Sequence, residues 1–491
     1  MLTVSSRAGR WVLLATILGS ALASIDATVV GIALPAIGRD FHTGLGSLQW
    51  VVTAYTLTLA GLLLVAGSLG DRYGRRRLFC IGVIWFAAAS LLCGLAPNAP
   101  TLIAARALQG VGGALLTPGS LAILQASFVP GDRGRAIGAW SGLGGVATAV
   151  GPFVGGWLVQ AVSWRLIFDI NLPLAAAVVV ITIRHVPETR DASATGRVDL
   201  LGGALVTAGL VGLTYGLIEG PSHGWASAAV VVALVAGVGL LVAFVAHERR
   251  TPNPMLALEV FSSRQFSATN AVTFVVYGGL GGALFLLPVQ LQQVSGYRPV
   301  QAGVALLPVT VIMLALSSRS GALAGRIGPR LQMSVGPVVV GLGLALMALI
   351  GPGGGYLTEV LPGVLVFGLG LAITVAPLTA TALSSAPGEH SGMASAINND
   401  VARAAGLIAV AVLPAAAGLT GRAYLHPAVF DHGFHVAMVL AGALCVLGGL
   451  LAALTIRNES HRTSDDDHEP PGRPCSSCGL ESPPHAVSVT R

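Results

Sequence analysis

The sequence predicts an all-α membrane protein with 14 transmembrane helices, and three observations support this prediction. The chain of 491 residues is 54% hydrophobic and only 10% charged, whereas soluble proteins carry about 25% charged residues. Apolar runs of the length that a bilayer requires, about 20 residues each, recur along the chain. The arginines between these runs are abundant on one predicted side and scarce on the other, as the positive-inside rule requires.

Fourteen apolar runs are long enough to cross a membrane, and polar turns separate them. The first run follows Arg7 and Arg10 and resembles a signal peptide, but it continues to Ile37 and is therefore predicted as the first span. The predicted spans lie at roughly 12–37, 49–69, 78–96, 101–125, 136–160, 166–184, 199–218, 226–246, 267–291, 300–320, 331–350, 358–382, 394–418 and 434–456.

The arginine distribution predicts that both termini are cytoplasmic. With that orientation 21 arginines fall in cytoplasmic segments, while four fall in external segments: Arg39, Arg165, Arg298 and Arg422. The remaining two, Arg106 and Arg403, fall within spans. An odd number of spans would place many arginines on the external side, against the positive-inside rule.

An internal repeat indicates that the spans form two halves. The segment 67-GSLGDRYGRR-76 aligns with 321-GALAGRIGPR-330, and a Leu-Pro pair at 34–35 aligns with another at 287–288. The two offsets are nearly equal, so the halves are predicted to be parallel repeats. Such repeats are a transporter architecture whose binding site lies between the halves near the middle of the membrane.

The repeat divides the chain into five predicted regions. The N-terminal six-helix half is followed by linkers with two inserted helices, the seventh and eighth spans, and then by the C-terminal six-helix half. The charged, Pro-rich tail is predicted to be disordered. The predicted regions are the cytoplasmic N-terminus 1–11, the N-terminal half 12–184, the linkers and inserted helices 185–266, the C-terminal half 267–456 and the cytoplasmic tail 457–491.

Two charges inside the first half are predicted to share a depth in the membrane. Asp26 lies about 21 Å above the cytoplasmic start of span 1, and Arg106 about 8 Å below the external start of span 4, at 1.5 Å per residue. An intramembrane charge costs about 2.5–3.5 kcal/mol and is usually paired and functional. Asp26 is therefore predicted to be a carboxylate that takes up and releases a proton, facing Arg106, with a permanent pair that only fixes packing as the alternative.

Four motifs in the first half carry a resemblance to a known family. Span 1 contains 25-IDATVVGIALP-35, and the other three motifs lie between spans 2 and 3, in span 4 and in span 5. Their residues are Gly67, Leu69, Asp71, Arg72, Gly74, Arg75 and Arg76; Leu102, Arg106, Gln109 and Gly110; and Gly151, Pro152, Gly155 and Gly156.

These motifs resemble the 14-span drug:proton antiporter branch of the major facilitator superfamily. The span pattern extends the resemblance over most of the chain. Gly31, Ala147 and Asp169 depart from the usual pattern of the branch. The resemblance implies that Arg106 takes part in proton coupling, that the span-5 motif belongs to an antiporter, and that the motif between spans 2 and 3 is a cytoplasmic gate. It does not identify a substrate.

Asp71 is the one acid in an arginine cluster, and its repeat partner is Gly325. The turn therefore does not itself require an acid. We predict a cytoplasmic latch in which Asp71 pairs with Arg72, Arg75 or Arg76, or caps a helix of the other half. The alternative is a local salt bridge worth under about 1 kcal/mol.

Span 13 holds a second charged group. Asp400 and Arg403 are three residues apart and share a helix face, and Asn398 lies beside them. These three residues are candidates for the substrate cavity. Two interpretations stay open, a self-neutralised pair that lines a wet cavity and a site for a charged substrate. The segment 303–316 carries no acid, which argues against a strongly dicationic substrate.

The predicted function is proton-coupled export of amphipathic drugs or antibiotics by alternating access. We expect the proton gradient to drive transport without a cofactor. The expected partners are a small amphipathic molecule, protons and the lipid bilayer, with no nucleic acid, and we expect a monomer. Export of an endogenous metabolite or lipid, or import by a member of the same superfamily, are the alternatives.

Other function classes lack support in the sequence. All 27 basic residues are arginine, so the phosphate-loop lysine of an ATP-driven pump is absent. The histidines are scattered, without the spacing of a metal site or a catalytic set, so neither a metal nor an enzyme is expected. Arginine in place of lysine indicates a GC-rich genome, and we expect the plasma membrane of a bacterium. One CxxC, Cys475 and Cys478, is a weak signal.

Overall fold

The computed structural model describes residues 2–190, 198–252, 254–385, 391–421 and 423–458, and all structural statements concern these residues. Within them, 14 helices are long and apolar enough to cross a membrane, which confirms the predicted number of spans. They contain no strand, only one isolated bridge between Leu2 and Phe128. The CxxC and nearly all of the predicted disordered tail lie outside the described residues.

The first six spans are built from seven helices. The sixth span is interrupted after Asp169, where the chain continues directly into a second helix. Ser6 and Asn98 cap their helices by accepting hydrogen bonds from Gly9 N and Thr101 N. The helices are α1 (Arg7–Asp40), α2 (Leu45–Tyr73), α3 (Arg75–Gly94), α4 (Ala99–Ser127), α5 (Pro130–Ala161), α6 (Leu166–Asp169) and α7 (Asn171–His185).

The remaining spans comprise two inserted helices and a second group of six spans. The tenth span is again interrupted, between Ala305 and Leu307, and the twelfth begins with a short π-helix, Tyr356–Val360. The helices are α8 (Leu200–His223), α9 (Ala228–Glu248), α10 (Arg264–Gln293), α11 (Pro299–Ala305), α12 (Leu307–Ile327), α13 (Pro329–Met347), α14 (Leu361–Ser384), α15 (Ser391–Ala416) and α16 (Pro427–Thr455).

The packing of the first six spans is repeated in the last six. In the first half α1 packs on α5 and α7, α3 on α4 and α7, and α2 on α4. The equivalent pairs in the second half are α10 with α15 and α16, α13 with α14 and α16, and α12 with α14. Gly74 and its repeat partner Gly328 both have positive φ, 112° and 84°, at equivalent helix junctions.

The inserted helices form a hairpin that contacts both halves. Helix α8 packs on α9, on α2 of the first half and on α15 of the second. Leu57, Leu210 and Leu407 form a small cluster where α2, α8 and α15 meet. The outer face of α9 exposes valines, among them Val232 and Val235. Such an apolar surface fits contact with lipid rather than with water.

The two halves are joined at one end of the bundle. We call the end that holds Asp71 and Gly74 the arginine-rich end, and the other the sealed end. Among the described residues, the hydrogen bonds between the halves lie at the sealed end. They are Gln49 Nε2 to Val410 O (2.6 Å) and to Ala411 O (3.3 Å), Tyr424 OH to Thr43 O (2.6 Å), Leu45 N to Gly421 O (2.8 Å) and Gln292 Nε2 to Ile32 O (2.9 Å).

Candidate functional site

Asp26 and Arg106 form an ion pair inside the first half. Arg106 Nη1 of α4 donates to Asp26 Oδ2 of α1 at 2.5 Å, and neither side chain is more than 2% exposed. The sequence predicted a shared depth for these residues, and the structure adds that they are in direct contact. Two opposite charges that are removed together from water need further polar partners, because desolvation is costly.

A polar network supplies these partners. Gln109 Nε2 donates to Asp26 Oδ1 and to Ser90 Oγ, both at 2.8 Å, and Gln109 Oε1 accepts from Arg106 Nη1 at 2.5 Å. Asn171 Nδ2, at the start of α7, lies 3.4 Å from Asp26 Oδ1. Arg106 Nε donates to the carbonyl oxygen of Val51 at 3.1 Å. Helices α1, α2, α3, α4 and α7 therefore all contribute to this site.

Sequence reasoning singled out Gln109 through its motif but missed Ser90 and Asn171. Both are polar residues within apolar runs. Ser90 lies near the end of α3, Asn171 at the start of α7 and Arg106 near the start of α4, so all three lie towards the same side of the bundle. The depth argument applied to Asp26 would have placed them at a similar level. Their rotation about the helix axis, which decides whether they reach Asp26, was not available from a single sequence.

Tyr55 of α2 covers the other face of Arg106. The guanidinium carbon lies 4.4 Å from the centroid of the Tyr55 ring, within the range of a cation–π contact. Tyr55 is only 3% exposed, yet it also contributes to the wall of a neighbouring cavity. Tyr55 therefore separates the ion pair from that cavity, and no sequence motif pointed to it.

The cavity lies between the halves and has a volume of about 600 Å³. It is lined by α1, α2, α3, α4, α5 and α15, and its lining runs from Thr28 and Tyr55 to Asp71 and Arg75 at the arginine-rich end. The wall is more apolar than polar, and hydroxyl and amide side chains such as Ser24, Thr28 and Asn399 are spread along it. This volume and composition are typical of small-molecule sites, which are mostly apolar with a few placed polar groups.

The motif between spans 2 and 3 is mainly helical rather than a loop. Asp71 and Arg72 belong to the last turn of α2, and Arg75 and Arg76 to the first turn of α3. Only Gly74 lies between the helices, and its φ of 112° is a conformation that other residues rarely adopt. Gly67, one turn earlier, lines the cavity.

Asp71 pairs within its own motif in this conformation. Arg75 donates to Asp71 Oδ1 from Nε at 2.8 Å and from Nη2 at 2.7 Å. Glu188, which sequence reasoning missed, accepts from the backbone N of Arg76 at 3.1 Å and of Arg77 at 3.2 Å. An acid at a helix N-terminus is favourable, so Glu188, rather than Asp71, caps α3.

The span-5 motif packs α5 against both halves. An added Cβ at Gly155 would collide with Val29 of α1, and one at Gly151 with Thr28. An added Cβ at Gly156 would collide with the backbone of Pro299 in α11. An added Cβ at Gly303 would likewise collide with the carbonyl oxygen of Pro152. Small residues permit this close approach between helices. Gly110 of the span-4 motif similarly packs on Tyr55 and Thr58 of α2.

The three span-13 residues face different neighbours. Arg403 lines the cavity. Asn398 instead donates to Asn270 Oδ1 at 3.1 Å and to Thr273 Oγ1 at 2.9 Å, both on α10. Asp400 is not among the lining residues. Within the described part of the chain no ion pair joins Asp400 to Arg403, and Asp400 Oδ1 and Arg403 Nε are buried without a hydrogen-bond partner.

Comparison with known proteins identifies relatives across most of the chain. The "Multidrug resistance protein Stp" of Mycobacterium tuberculosis is 39% identical over 78% of this chain and 71% of its own length. The "Tetracenomycin C resistance and export protein" of Streptomyces glaucescens is 36% identical over 82% and 74%. The "Puromycin resistance protein pur8" of Streptomyces alboniger is 36% identical over 94% and 95%.

Solved structures share the fold at low sequence identity. A peptide transporter POT in complex with sulfate aligns with a TM-score of 0.66 at 14% identity, covering 90% of this chain and 93% of its own. A bacterial homologue of the human lysosomal transporter Spinster aligns with a TM-score of 0.65 at 15% identity, covering 92% and 97%. The model of the Major Facilitator Superfamily matches residues 16–411. This chain therefore belongs to the Major Facilitator Superfamily, and its relatives within that family are multidrug and antibiotic resistance proteins.

Proposed function

We propose that this multi-pass membrane protein is a proton-coupled exporter of amphipathic drugs or antibiotics. The observation that supports this function best is a buried Asp26–Arg106 pair separated by Tyr55 from a cavity of about 600 Å³. The pair offers a carboxylate that can take up a proton, and the cavity offers room for a small molecule. The names of the relatives support drugs and antibiotics as the substrate class.

The proposed cycle begins in the conformation described above. The cavity reaches the arginine-rich end, which the arginine distribution predicts to be cytoplasmic, and the halves are bonded at the sealed end. Substrate enters from the cytoplasm. The halves then rock, the contacts at the sealed end separate, and new contacts close the arginine-rich end. The substrate leaves on the outside, and the cycle needs no cofactor.

Protonation of Asp26 links this cycle to the proton gradient. A proton from outside neutralises the carboxylate and removes its charge attraction to Arg106. Arg106 then retains Gln109 Oε1, the Val51 carbonyl and the Tyr55 ring as partners. These groups compensate a buried cation that would otherwise be costly. The proton leaves on the cytoplasmic side when the carboxylate and Arg106 pair again.

Inverted membrane vesicles from a drug-sensitive bacterium provide the test. Vesicles that contain the wild-type protein should accumulate a fluorescent amphipathic dye when a pH gradient is imposed, and an uncoupler should abolish this accumulation. Asp26→Asn should lose gradient-driven accumulation. Asp40→Asn is the matched control, because Asp40 forms a 2.7 Å pair with Arg165 that is about 40% exposed, away from the cavity. Accumulation that resists the uncoupler, or full activity of Asp26→Asn, would contradict the proposal.

A further inference from the structure

The charges that line the cavity are unequally compensated. Among the described lining residues, the charged side chains are Asp71, Arg75 and Arg403. Asp71 and Arg75 neutralise each other through two hydrogen bonds at the arginine-rich end. Arg403 lies 12 residues into α15, about 18 Å along the helix from its start at 1.5 Å per residue. The charged side chains that line the cavity therefore sum to one net positive charge, located deep inside it, whereas Asp400, three residues before Arg403 on α15, is not among the lining residues.

Arg403 lacks the support that Arg106 receives. Arg106 has a carboxylate, an amide oxygen, a carbonyl oxygen and an aromatic ring around it. No ion pair to Arg403 occurs within the described residues, and its Nε is buried without a hydrogen-bond partner. The buried Nε–H of Arg403 therefore lacks an acceptor, and leaving such a donor unpaired costs free energy unless a ligand supplies the acceptor.

The surroundings of Arg403 in the cavity suit an organic ligand. Asn399 and Ser395 precede Arg403 on the cavity-lining face of α15, and Tyr55, Leu59 and Leu63 of α2 form another part of the wall. The guanidinium group binds a carboxylate or phosphate through two parallel hydrogen bonds. Apolar wall residues beside a cation that forms no ion pair within the described residues favour a molecule with an apolar body and one acidic group.

We infer that Arg403 is the binding subsite for an acidic group of the transported molecule, and that the cavity takes amphipathic organic anions. The inference rests on the proposed function and narrows its substrate class. Asp71 does not favour cations strongly, because Arg75 already balances its charge. The acidic group of the ligand would meet Arg403 midway across the bundle, and its apolar body would pack on the leucines of α2.

Equilibrium dye binding to the purified protein in detergent tests the inference without a proton gradient. Fluorescein and rhodamine 6G are xanthene dyes of opposite charge, and fluorescence anisotropy reports the binding of each. We expect wild-type protein to bind fluorescein more tightly than rhodamine 6G. Arg403→Gln should weaken fluorescein binding about tenfold or more, the usual order for a charge-assisted hydrogen bond, and leave rhodamine 6G binding unchanged or stronger. Arg403→Lys should recover part of the loss.

The matched control is Arg264→Gln, which removes an exposed arginine at the start of α10, away from the cavity. It should leave both dyes unaffected. Unchanged fluorescein binding in Arg403→Gln, or an equal loss of both dyes, overturns the inference. A wild-type protein that does not bind fluorescein overturns it too, whether or not rhodamine 6G binds.

A competition experiment on wild-type protein needs no variant. Naphthalene-2-carboxylate and naphthalene-2-carboxamide have nearly the same shape, and only the first is an anion. We expect the carboxylate to displace fluorescein at a concentration at least tenfold lower than the amide. Equal displacement overturns the inference. Neither binding result depends on proton-driven transport, so a failure here leaves the vesicle test of the proposed function intact, and the reverse also holds.

Discussion

The protein contains two Asp–Arg pairs within family motifs, and they differ in almost every physical respect. Asp26 and Arg106 join two helices that are distant in sequence and are at most 2% exposed. Asp71 and Arg75 are four residues apart at a helix junction, and Asp71 is 40% exposed. Buried ion pairs are costly to break, whereas exposed ones contribute little. The same two residue types therefore form a buried pair inside one half in one place and an exposed, local contact at a helix junction in the other.

The largest expected effect follows from removing one partner of the buried pair. Arg106→Gln leaves Asp26 as a buried carboxylate without its counter-ion, and the free energy of unfolding should fall by about 3–5 kcal/mol. Thermal unfolding of the purified protein in detergent measures the loss. The control is Arg165→Gln, whose partner Asp40 is exposed to water. The double variant Asp26→Asn/Arg106→Gln should recover most of the stability but remain inactive; a double variant as unstable as Arg106→Gln would contradict the pairing argument.

The next effect concerns the polar network that only the buried pair possesses. Gln109→Leu removes an acceptor from Arg106 and a donor from Asp26. Leaving buried polar groups unsatisfied should cost about 1–3 kcal/mol in unfolding free energy. Gln125→Leu is a suitable comparison, because Gln125 lies on the same helix and faces the cavity. Equal losses of unfolding free energy in the two variants would show that the hydrogen bonds of Gln109 to Asp26 and Arg106 make no particular contribution to stability.

The aromatic cover of the buried pair should affect coupling more than stability. Tyr55→Leu removes a cation–π contact worth about 0.5–2 kcal/mol and thins the wall between the cavity and Arg106. We expect proton leakage without substrate, measured as acidification of proteoliposomes that contain a pH-sensitive dye. Tyr55→Phe keeps the ring and should show no more proton leakage than the wild type. Leakage from both variants, or from neither, would show that the ring does not act as the barrier.

The smallest change in stability is expected at the exposed pair. Asp71→Asn should alter the free energy of unfolding by less than about 1 kcal/mol, and any effect should shrink further at high salt. Its transport rate tests the predicted latch, which would form when the arginine-rich end closes. We expect Asp71→Asn to accumulate dye more slowly than wild type in the vesicle assay, and we expect this reduction in rate to be larger than that in Arg75→Gln. An unchanged rate would leave Asp71 with only its local bond to Arg75.

The contrast between the two pairs also shows which features of the fold and the site could be predicted from the sequence. Apolar run length and arginine counts predicted 14 spans, because a bilayer constrains each span separately. Depth arithmetic brought Asp26 and Arg106 to one level, because rise along a helix is constant. Rotation about the helix axis is set by packing between distant segments, so the roles of Asn171, Ser90 and Tyr55 were not predictable.

Helix ends and breaks were less predictable for a different reason. Helix α2 runs from Leu45 to Tyr73, beyond the predicted span 49–69, because its hydrogen bonds continue past the apolar core. Asp71 and Arg72 are consequently helical. The interruption of span 6 near Asp169 depends on how α6 and α7 pack on α3, which is tertiary information. The predicted cytoplasmic location of both termini stays a prediction.

The bonds that close the sealed end have one consequence for the evolution of specificity. In each of these bonds, at Val410, Ala411, Gly421, Thr43 and Ile32, the acceptor is a main-chain carbonyl oxygen. A carbonyl persists whatever side chain replaces the residue that carries it. Mutation can therefore alter much of this closure without deleting its acceptors, while residues around the cavity change independently. A transporter built in this way can therefore change the residues that contact its substrate while it keeps the acceptors that hold its sealed end closed.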